Sequence, residues 1–172
     1  DFLANLPSGM SHISLAINLS SMAFQDESLL PAIKEKLELT WVDAKRITFE
    51  ITETAAVDNF EQTRDMIMKI RALGCKFALD DFGAGFCSFN YLKSFPVDYV
   101  KIDGQFIRNL INDDTDQVLV KSMAEIARKL GKKTIAEFVE TPETISKLKE
   151  IGIDFGQGYV FGKPEPTLLP NN

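Results

Sequence analysis

The amino-acid sequence predicts an α/β protein whose parallel strands and outer helices form a TIM-like (β/α) barrel with about six of the eight βα units present. Short apolar segments alternate with amphipathic segments, and successive predicted strands begin roughly 20–35 residues apart. Several strands carry apolar residues on one face and polar residues on the other. The chain of 172 residues is also shorter than the roughly 250 residues of a complete barrel.

The predicted strands share a short apolar run that ends near a polar residue. They cover residues 13–19, 47–53, 76–82, 98–103, 133–138 and 155–161. In the second strand, Ile47, Phe49 and Ile51 alternate with Thr, Glu and Thr. Side chains alternate between the two faces of a strand, so one face is apolar enough to contact helices and the other is polar. An open doubly wound sheet would need two apolar faces, so the pattern favours a barrel with a polar mouth.

The predicted helices share an apolar face whose residues recur every three or four positions. They cover residues 27–39, 59–73, 115–130 and 142–151. Gly74 and Gly131 directly follow two of them and are typical helix stops. Thr141 and Pro142 are a typical N-cap and first helical residue. Strands and helices that alternate in this way indicate a parallel sheet with helices outside it.

Composition excludes several classes of protein. The chain has 19 Lys and Arg residues against 25 Asp and Glu residues, and the resulting net charge of −6 argues against binding to nucleic acid duplexes. No apolar stretch approaches the ~20 residues that cross a bilayer, so we expect no membrane insertion in this segment. Cys75 and Cys87 are too few for a disulfide scaffold or a thiolate zinc site, and Cys75 is interpreted as a core residue. Because His12 is the only histidine and precedes a strand, acid–base or metal chemistry must use carboxylates, amides and lysine.

Polar residues gather at the C-terminal ends of the predicted strands. They are Asn18, Glu50, Glu53, Asp80, Asp81, Lys101, Asp103, Glu137, Glu140 and Gln157. In a barrel these ends converge on one mouth, where the catalytic residues of such enzymes lie. Oxygen ligands without Cys or His favour Mg²⁺, Mn²⁺ or Ca²⁺ over zinc, and two ions ~3.5–4 Å apart can bridge a phosphate and activate a water.

Each of these residues also has a purely structural interpretation. Asp80 and Asp81 are residue types that cap helices or occupy solvated loops, and a lysine such as Lys101 can extend from an edge strand to water. The two glycines within residues 81–85 are compatible with a plain flexible loop. These interpretations would have to hold independently at five strand ends, so the joint pattern favours a functional rim.

Six short motifs follow one another along the chain. They are Asn-Leu-Ser at 18–20, Glu-Ile-Thr-Glu at 50–53, Asp-Asp-Phe-Gly-Ala-Gly-Phe at 80–86, Lys-Ile-Asp at 101–103, Ala-Glu-Phe-Val-Glu at 136–140 and Gln-Gly-Tyr at 157–159. This ordered set resembles the EAL domain family, the cyclic di-GMP phosphodiesterases of bacterial signalling. The resemblance covers residues 13–164 and implies a modified (β/α)₈ barrel with a two-metal site. Enzymes of the family use Mg²⁺ or Mn²⁺ to hydrolyse cyclic di-GMP to linear pGpG.

The resemblance also implies a role for each residue of the rim. The residues that match metal-binding positions are Asn18, Glu50, Asp80, Asp81 and Glu137. The residues that match catalytic positions are Lys101, Asp81, Glu53 and Glu140. Lys101 matches the lysine that holds or polarises the attacking water, and Glu53 matches a glutamate that steadies the loop of residues 82–90. Asp103 and Gln157 match substrate-binding positions in the same pocket.

The sequence departs from the family pattern in three places. The Glu-Ala-Leu signature is absent, Phe138 replaces a frequent glycine and is expected to narrow the pocket, and residues 86–88 are Phe-Cys-Ser instead of Tyr-Ser-Ser. Because the missing signature agrees with the two missing βα units, residues 1–172 are interpreted as the C-terminal two-thirds of an EAL domain. Open strand edges then predict self-association or a homodimer. The resemblance implies a cytoplasmic protein, either free or as the cytoplasmic part of a membrane-anchored sensor.

Two other functions stay open at this point. Some EAL-like domains bind cyclic di-GMP without cleaving it and transmit the signal to a partner. Every ligand position that the chain covers is filled, which favours an enzyme over such a receptor. The third alternative is a different metal-dependent barrel enzyme that acts on a carboxylate substrate.

Overall fold

The computed structural model describes residues 2–85 and 89–165, whose strands form one sheet. The strands are β1 (Leu15–Asn18), β2 (Ile47–Thr52), β3 (Lys76–Phe82), β4 (Tyr99–Ile102), β5 (Lys133–Ala136) and β6 (Phe155–Gly156). All neighbouring pairs are parallel, and the strand order in the sheet follows the sequence. The sheet curls into half a barrel, which confirms the predicted fold class. Within the described residues, β1 and β6 each pair on one side only and form the two edges.

Seven α-helices lie in the described part of the chain. They are α1 (Leu29–Thr40), α2 (Glu53–Asp58), α3 (Phe60–Ala72), α4 (Phe89–Ser94), α5 (Gly104–Ile107), α6 (Asp114–Lys129) and α7 (Pro142–Ile151). Short 3₁₀ helices occur at Leu3–Asn5, Ser8–Met10, Ser21–Gln25 and Ala44–Arg46. The four predicted helices correspond to α1, α3, α6 and α7. Among the described residues, none of the helices has the length and apolar character needed to traverse a bilayer.

The predicted helix ends are confirmed at three positions. The side chain of Thr141 accepts a hydrogen bond from the main-chain amide of Thr144 at 3.2 Å and so caps α7. Gly74 has a φ angle of 101° and Gly131 one of 71°, values that side-chain-bearing residues rarely adopt. These glycines let the chain turn sharply from α3 into β3 and from α6 into β5.

The hydrophobic core lies between the outer face of the sheet and the helices. Phe49 and Ile51 of β2 belong to it, whereas Glu50 between them faces the inside of the half-barrel, so the predicted alternation is confirmed. The remaining core residues of the central strands are Phe77, Leu79, Phe82, Val100, Ile102 and Ala136. Cys75 also packs in the core, as predicted, and burial raises the pKa of its thiol to about 11. Cys87 lies outside the described residues.

Every strand except β3 is shorter than predicted, β2 by one residue and β4 by one residue at each end. β1 begins at Leu15 instead of residue 13, β5 ends at Ala136 instead of residue 138, and β6 contains only two residues. β5 stops because Phe138 has a φ angle of 52°, which takes the chain out of the extended conformation. β6 stops because the chain turns over Val139, whose main chain bonds to Gln157 and Val160 at 3.0 and 3.2 Å.

Candidate active site

A β-bulge at the end of β3 brings two adjacent aspartates to the same side of the sheet. Leu79 pairs with Val100 and Phe82 with Ile102, so three steps along β3 match two steps along β4. Asp81 adopts a φ angle of 56° in this bulge, a left-handed conformation that aspartate tolerates better than most residues. Without the bulge, Asp80 and Asp81 would point to opposite faces.

The bulge places three carboxylates within reach of one cation. Asp80, Asp81 and Glu137 each offer an oxygen, and these three oxygens lie within 4.8 Å of one another. Glu137 directly follows β5, and its amide bonds to the carbonyl of Ile102 at 3.2 Å. Residues distant in sequence thus meet at the C-terminal rim of the half-barrel. The donors are all carboxylate oxygens, which is the chemistry that Mg²⁺ and Mn²⁺ prefer.

Lys101 of β4 lies at the centre of these carboxylates. Its ammonium nitrogen is 2.7 Å from Asp80 Oδ1, 2.9 Å from Glu137 Oε1 and 3.1 Å from Glu50 Oε2. The Lys101 side chain is only 4% exposed, so these ion pairs are largely removed from water. Strands β2, β3 and β5 each supply one partner, since Glu50 lies in β2, Asp80 in β3 and Glu137 just beyond β5.

The charges of this cluster shift several pKa values. Burial alone would lower the pKa of Lys101, but the hydrogen bonds and negative charges of Asp80 and Glu137 outweigh it and raise that pKa. The pKa of Glu137 is raised by burial and by the charges of Asp80 and Asp81, despite its bond to Lys101. The pKa of Asp81 is raised by burial and then by Asp80, Asp103 and Glu53. Lys101 therefore stays protonated, and burial together with the neighbouring negative charges disfavours the ionised forms of Glu137 and Asp81.

Asn18 lies beside this cluster at the edge of the sheet. It pairs in register with Glu50, so the two side chains project from the same face of neighbouring strands. Asn18 is exposed because β1 is an edge strand in the described structure. The structure thus places Asn18 next to a cluster residue, and its assignment as a metal ligand stays a prediction.

Glu53 contacts the loop that follows the paired aspartates. It is 3% exposed and accepts a hydrogen bond from the amide of Gly83 at 3.0 Å. Gly85 lies so close to this carboxylate that an added Cβ would come within 2.6 Å of Glu53 Oε1. The predicted contact between Glu53 and the loop of residues 82–90 is therefore present as far as Gly85, and residues 86–88 lie outside the described structure.

The remaining predicted residues lie around the cluster. Asp103 accepts a hydrogen bond from the amide of Gln105 at 2.6 Å and caps α5, and its charge still raises the pKa of Asp81. Glu140 and Gln157 are exposed. They line a cavity of about 200 Å³ that opens beside Glu137. Their assignments, catalytic for Glu140 and substrate-binding for Asp103 and Gln157, stay predictions.

Sequence reasoning missed one side chain at this rim. The guanidinium carbon of Arg108 lies 4.2 Å from the centre of the Phe138 ring, one residue beyond Glu137. No motif marks Arg108, because it belongs to the chain that follows the four-residue helix α5. Only the folded structure brings it to the rim.

A half-barrel with a buried lysine among carboxylates at its C-terminal rim is typical of barrel enzymes that act through bound cations. The family model described as EAL domain matches residues 1–164, and the chain belongs to this family. EAL domains form a family of cyclic di-GMP phosphodiesterases that depend on metal ions.

Curated and solved relatives agree with this assignment. The chain is 43% identical over 152 residues to the cyclic di-GMP phosphodiesterase PdeB of Shewanella oneidensis, a match that covers 88% of this chain and 18% of PdeB. It spans about a fifth of the length of the curated relatives that it matches.

Among solved structures, the crystal structure of the FimX EAL domain superposes with a TM-score of 0.92 at 27% identity, covering 99% of this chain and 68% of that one. The calcium and cyclic di-GMP complex of Klebsiella pneumoniae BlrP1 superposes with a TM-score of 0.83 at 32% identity, covering 91% of this chain and 40% of that one. Both likenesses place the half-barrel within the EAL fold.

Proposed function

We propose that this chain carries most of the active site of a phosphodiesterase that hydrolyses one phosphodiester of cyclic di-GMP to give linear pGpG. The observation that supports this most strongly is the placement of Lys101 among three carboxylates from three other strand ends, with Asp81 beside them. Relatives named as cyclic di-GMP phosphodiesterases support the choice of substrate. An enzyme with this substrate is expected in the cytoplasm, where the second messenger acts.

The carboxylates at the rim fit divalent cations in their chemistry. We propose that Asp80, Asp81, Glu137, Glu50 and Asn18 hold Mg²⁺ or Mn²⁺ in a two-metal site. All five side chains offer oxygen ligands, and bound cations would offset the burial and the negative charges that raise the pKa values of Asp81 and Glu137. Bound cations would neutralise the phosphate and make an attacking water more acidic.

Lys101 acts as a fixed positive charge in this proposal. Its raised pKa means that it donates hydrogen bonds and does not accept a proton from water. Its ammonium group is held by Asp80 and Glu137 at 2.7 and 2.9 Å, so it is oriented before substrate arrives. We propose that it positions the attacking water and stabilises the negative charge that develops on the phosphate.

The residues around the cluster position the loop and the substrate. Glu53 fixes the loop after the aspartates through the amide of Gly83. Glu140 and Gln157 line the cavity beside Glu137, and Asp103 lies close enough to Asp81 to raise its pKa. All three are proposed to contact the dinucleotide. The substrate then spans the rim from the carboxylates towards this cavity.

We further propose that the chain is the C-terminal two-thirds of an EAL domain. An apolar cavity of about 310 Å³ lies along the β1 edge between α1 and strands β1 and β2. We expect preceding βα units of the same domain to pack there and to extend the sheet beyond β1. Without them, the open edge predicts self-association of the chain into a homodimer or larger species.

The test replaces Glu50 with alanine in the full-length protein and measures hydrolysis of cyclic di-GMP in saturating Mg²⁺ or Mn²⁺. We expect turnover to fall by at least about 100-fold, because a ligand and a partner of Lys101 are both lost. Glu61→Ala is the matched control, since the Glu61 side chain is 80% exposed on α3 and its ion pair is with Arg64 of the same helix.

Each result of this test has a distinct meaning. Near-normal turnover of Glu50→Ala would remove Glu50 from the ligand set. Binding of cyclic di-GMP by the unaltered protein without hydrolysis would identify a receptor instead of an enzyme. Neither binding nor hydrolysis by the unaltered protein would contradict the proposed function as a whole.

A further inference from the structure

Phe138 adopts an unfavourable conformation at the edge of the active site. Its φ angle of 52° is rare for an aromatic residue. The side chain nevertheless remains 47% exposed, so the burial of apolar surface offsets little of the free-energy cost of this backbone conformation. A strained and half-exposed aromatic residue next to Glu137 indicates a role in contact with a ligand.

The neighbours of Phe138 hold its ring in one place. The ring packs against Gly104, the residue after Asp103. A Cβ atom at position 104 would collide with the Phe138 ring, so only glycine leaves room for it. The Arg108 guanidinium lies over the ring, 4.2 Å from its centre. This cation–π contact orients the ring without burying it.

The ring also forms part of the wall of a cavity at the rim. The cavity measures about 200 Å³ and is lined by Glu137, Phe138, Glu140, Gln157, Gly158 and Tyr159. Phe138 and Tyr159 bring two exposed aromatic rings to its wall, 47% and 60% exposed. A lining that combines aromatic rings and polar side chains is the kind that binds a flat heterocycle, because the faces stack and the edge forms hydrogen bonds.

We propose that Phe138 is a stacking surface for one guanine base of cyclic di-GMP and that Arg108 is a positioning residue for its ring. This inference rests on the proposed function and adds a residue that binds substrate. The rim is strongly acidic, and a further carboxylate would repel the phosphates of the dinucleotide. An uncharged aromatic face can bind a base without this repulsion.

The test measures equilibrium binding of cyclic di-GMP to the full-length protein in EDTA, together with KM and kcat in Mg²⁺. Phe138→Gly removes the ring and suits the positive φ, so the variant is expected to fold at least as well. Phe138→Leu keeps an apolar side chain and the same backbone strain but lacks the aromatic face. Both variants should raise Kd and KM by roughly 5- to 100-fold.

Arg108 is tested through its coupling to Phe138. Arg108→Ala should weaken binding by about 2- to 5-fold in the unaltered background and have little effect on Phe138→Gly. This dependence on the ring separates a positioning role from a general structural or electrostatic one. Equal losses in both backgrounds would show that Arg108 acts independently of Phe138.

Two outcomes are decisive for the stacking role. Equal affinity of Phe138→Gly, Phe138→Leu and the unaltered protein for cyclic di-GMP would overturn it and leave the proposed function intact. An unaltered protein that neither binds nor hydrolyses cyclic di-GMP in Mg²⁺ would overturn both. A fall in thermal stability of Phe138→Gly would show that the ring supports the fold, and Phe138→Leu then decides the question of stacking.

Discussion

The two ends of the parallel sheet both carry buried charges, but they satisfy these charges differently. At the end where the strands begin, Asp98 accepts a hydrogen bond from the amide of Phe77 at 2.9 Å. On the same side, the buried Lys132 donates hydrogen bonds to the carbonyls of Phe95 and Val97 at 2.7 and 3.2 Å. Most of these partners are main-chain groups that the fold fixes in place, and Asp98 also pairs with the partly exposed Arg71.

At the opposite end, the charges depend on one another. Glu50, Asp80 and Glu137 all contact the ammonium group of Lys101, within 2.7 to 3.1 Å. One positive charge faces three negative charges there, and Asp81 adds a fourth carboxylate to the rim. Cations bound at this rim would reduce this surplus of negative charge.

The difference separates a structural end of the sheet from a functional one. Main-chain partners stay in place whether or not a cation is present, so the charges at the N-terminal end stabilise the fold in both cases. The side-chain cluster at the C-terminal end responds to any cation that enters it. This agrees with the general position of active sites in (β/α) barrels, at the C-terminal ends of the strands.

The largest effect on stability is expected when the two buried lysines are compared. Lys101→Met leaves three carboxylates without their shared counter-charge, so the free energy of unfolding in EDTA should fall by about 3–5 kcal/mol. Saturating Mg²⁺ should restore much of this loss, because the cation replaces the missing charge. The measurement is urea unfolding of the full-length protein with and without Mg²⁺.

Lys132→Met is the matched control for this prediction. It removes hydrogen bonds to two carbonyls and should cost about 1–3 kcal/mol. The pKa of Lys132 is lowered, mainly by burial and also by the nearby charge of Arg71. The protonated form of Lys132 is therefore less favourable in the folded state than in water. The cost should be the same in EDTA and in Mg²⁺. If Lys101→Met also lost the same free energy of unfolding in EDTA and in Mg²⁺, the two ends of the sheet would not differ in their response to cations.

Replacement of Asp98 tests the structural end on its own. Asp98→Ala removes the acceptor for the Phe77 amide and the pair with Arg71, whose Nη2 lies 2.7 Å from Asp98 Oδ1. We expect a loss of about 2–3 kcal/mol that Mg²⁺ does not change, and unaltered turnover per folded molecule. Asp98→Asn keeps an acceptor oxygen and should cost only about 1 kcal/mol, because the ion pair is partly exposed. A loss of turnover in the folded variant would contradict this separation of roles.

The sequence was sufficient to predict the elements that repeat with a clear period. All six strands and the four long helices were predicted, since apolar alternation in strands such as β2 and caps such as Thr141 are local signals. Helices α2, α4 and α5 were missed because four to six residues carry too little periodicity. The early end of β5 was missed because a left-handed phenylalanine at position 138 has no local signature.

The candidate site was predicted in its members but not in its geometry. The strand ends identified Glu50, Asp80, Lys101 and Glu137, and these four meet in the structure. The bulge that turns Asp81 to the same side could not be read from the sequence, because no glycine marks it. It arises from the pairing of β3 with β4, which is a property of the folded sheet.

Asp81 offers the smallest but most specific test of the charge surplus at the functional end. Asp81→Asn removes one negative charge, and asparagine tolerates the same left-handed conformation. Because burial and the charges of Asp80 and Asp103 raise the pKa of Asp81, its ionised form is unfavourable in the folded state. The free energy of unfolding in EDTA should therefore rise, by less than about 1 kcal/mol at this partly exposed site.

The same substitution should weaken cation binding while it strengthens the metal-free fold. The midpoint of a Mg²⁺ titration followed by thermal unfolding should shift to roughly tenfold higher concentration, since a ligand and a charge are lost. Asp65→Asn on the exposed face of α3 is the control and should change stability by less than about 0.5 kcal/mol with an unchanged midpoint. A metal-free protein that becomes less stable on Asp81→Asn would mean that Asp81 contributes favourable bonds instead of repulsion, and the surplus of negative charge would then lie elsewhere.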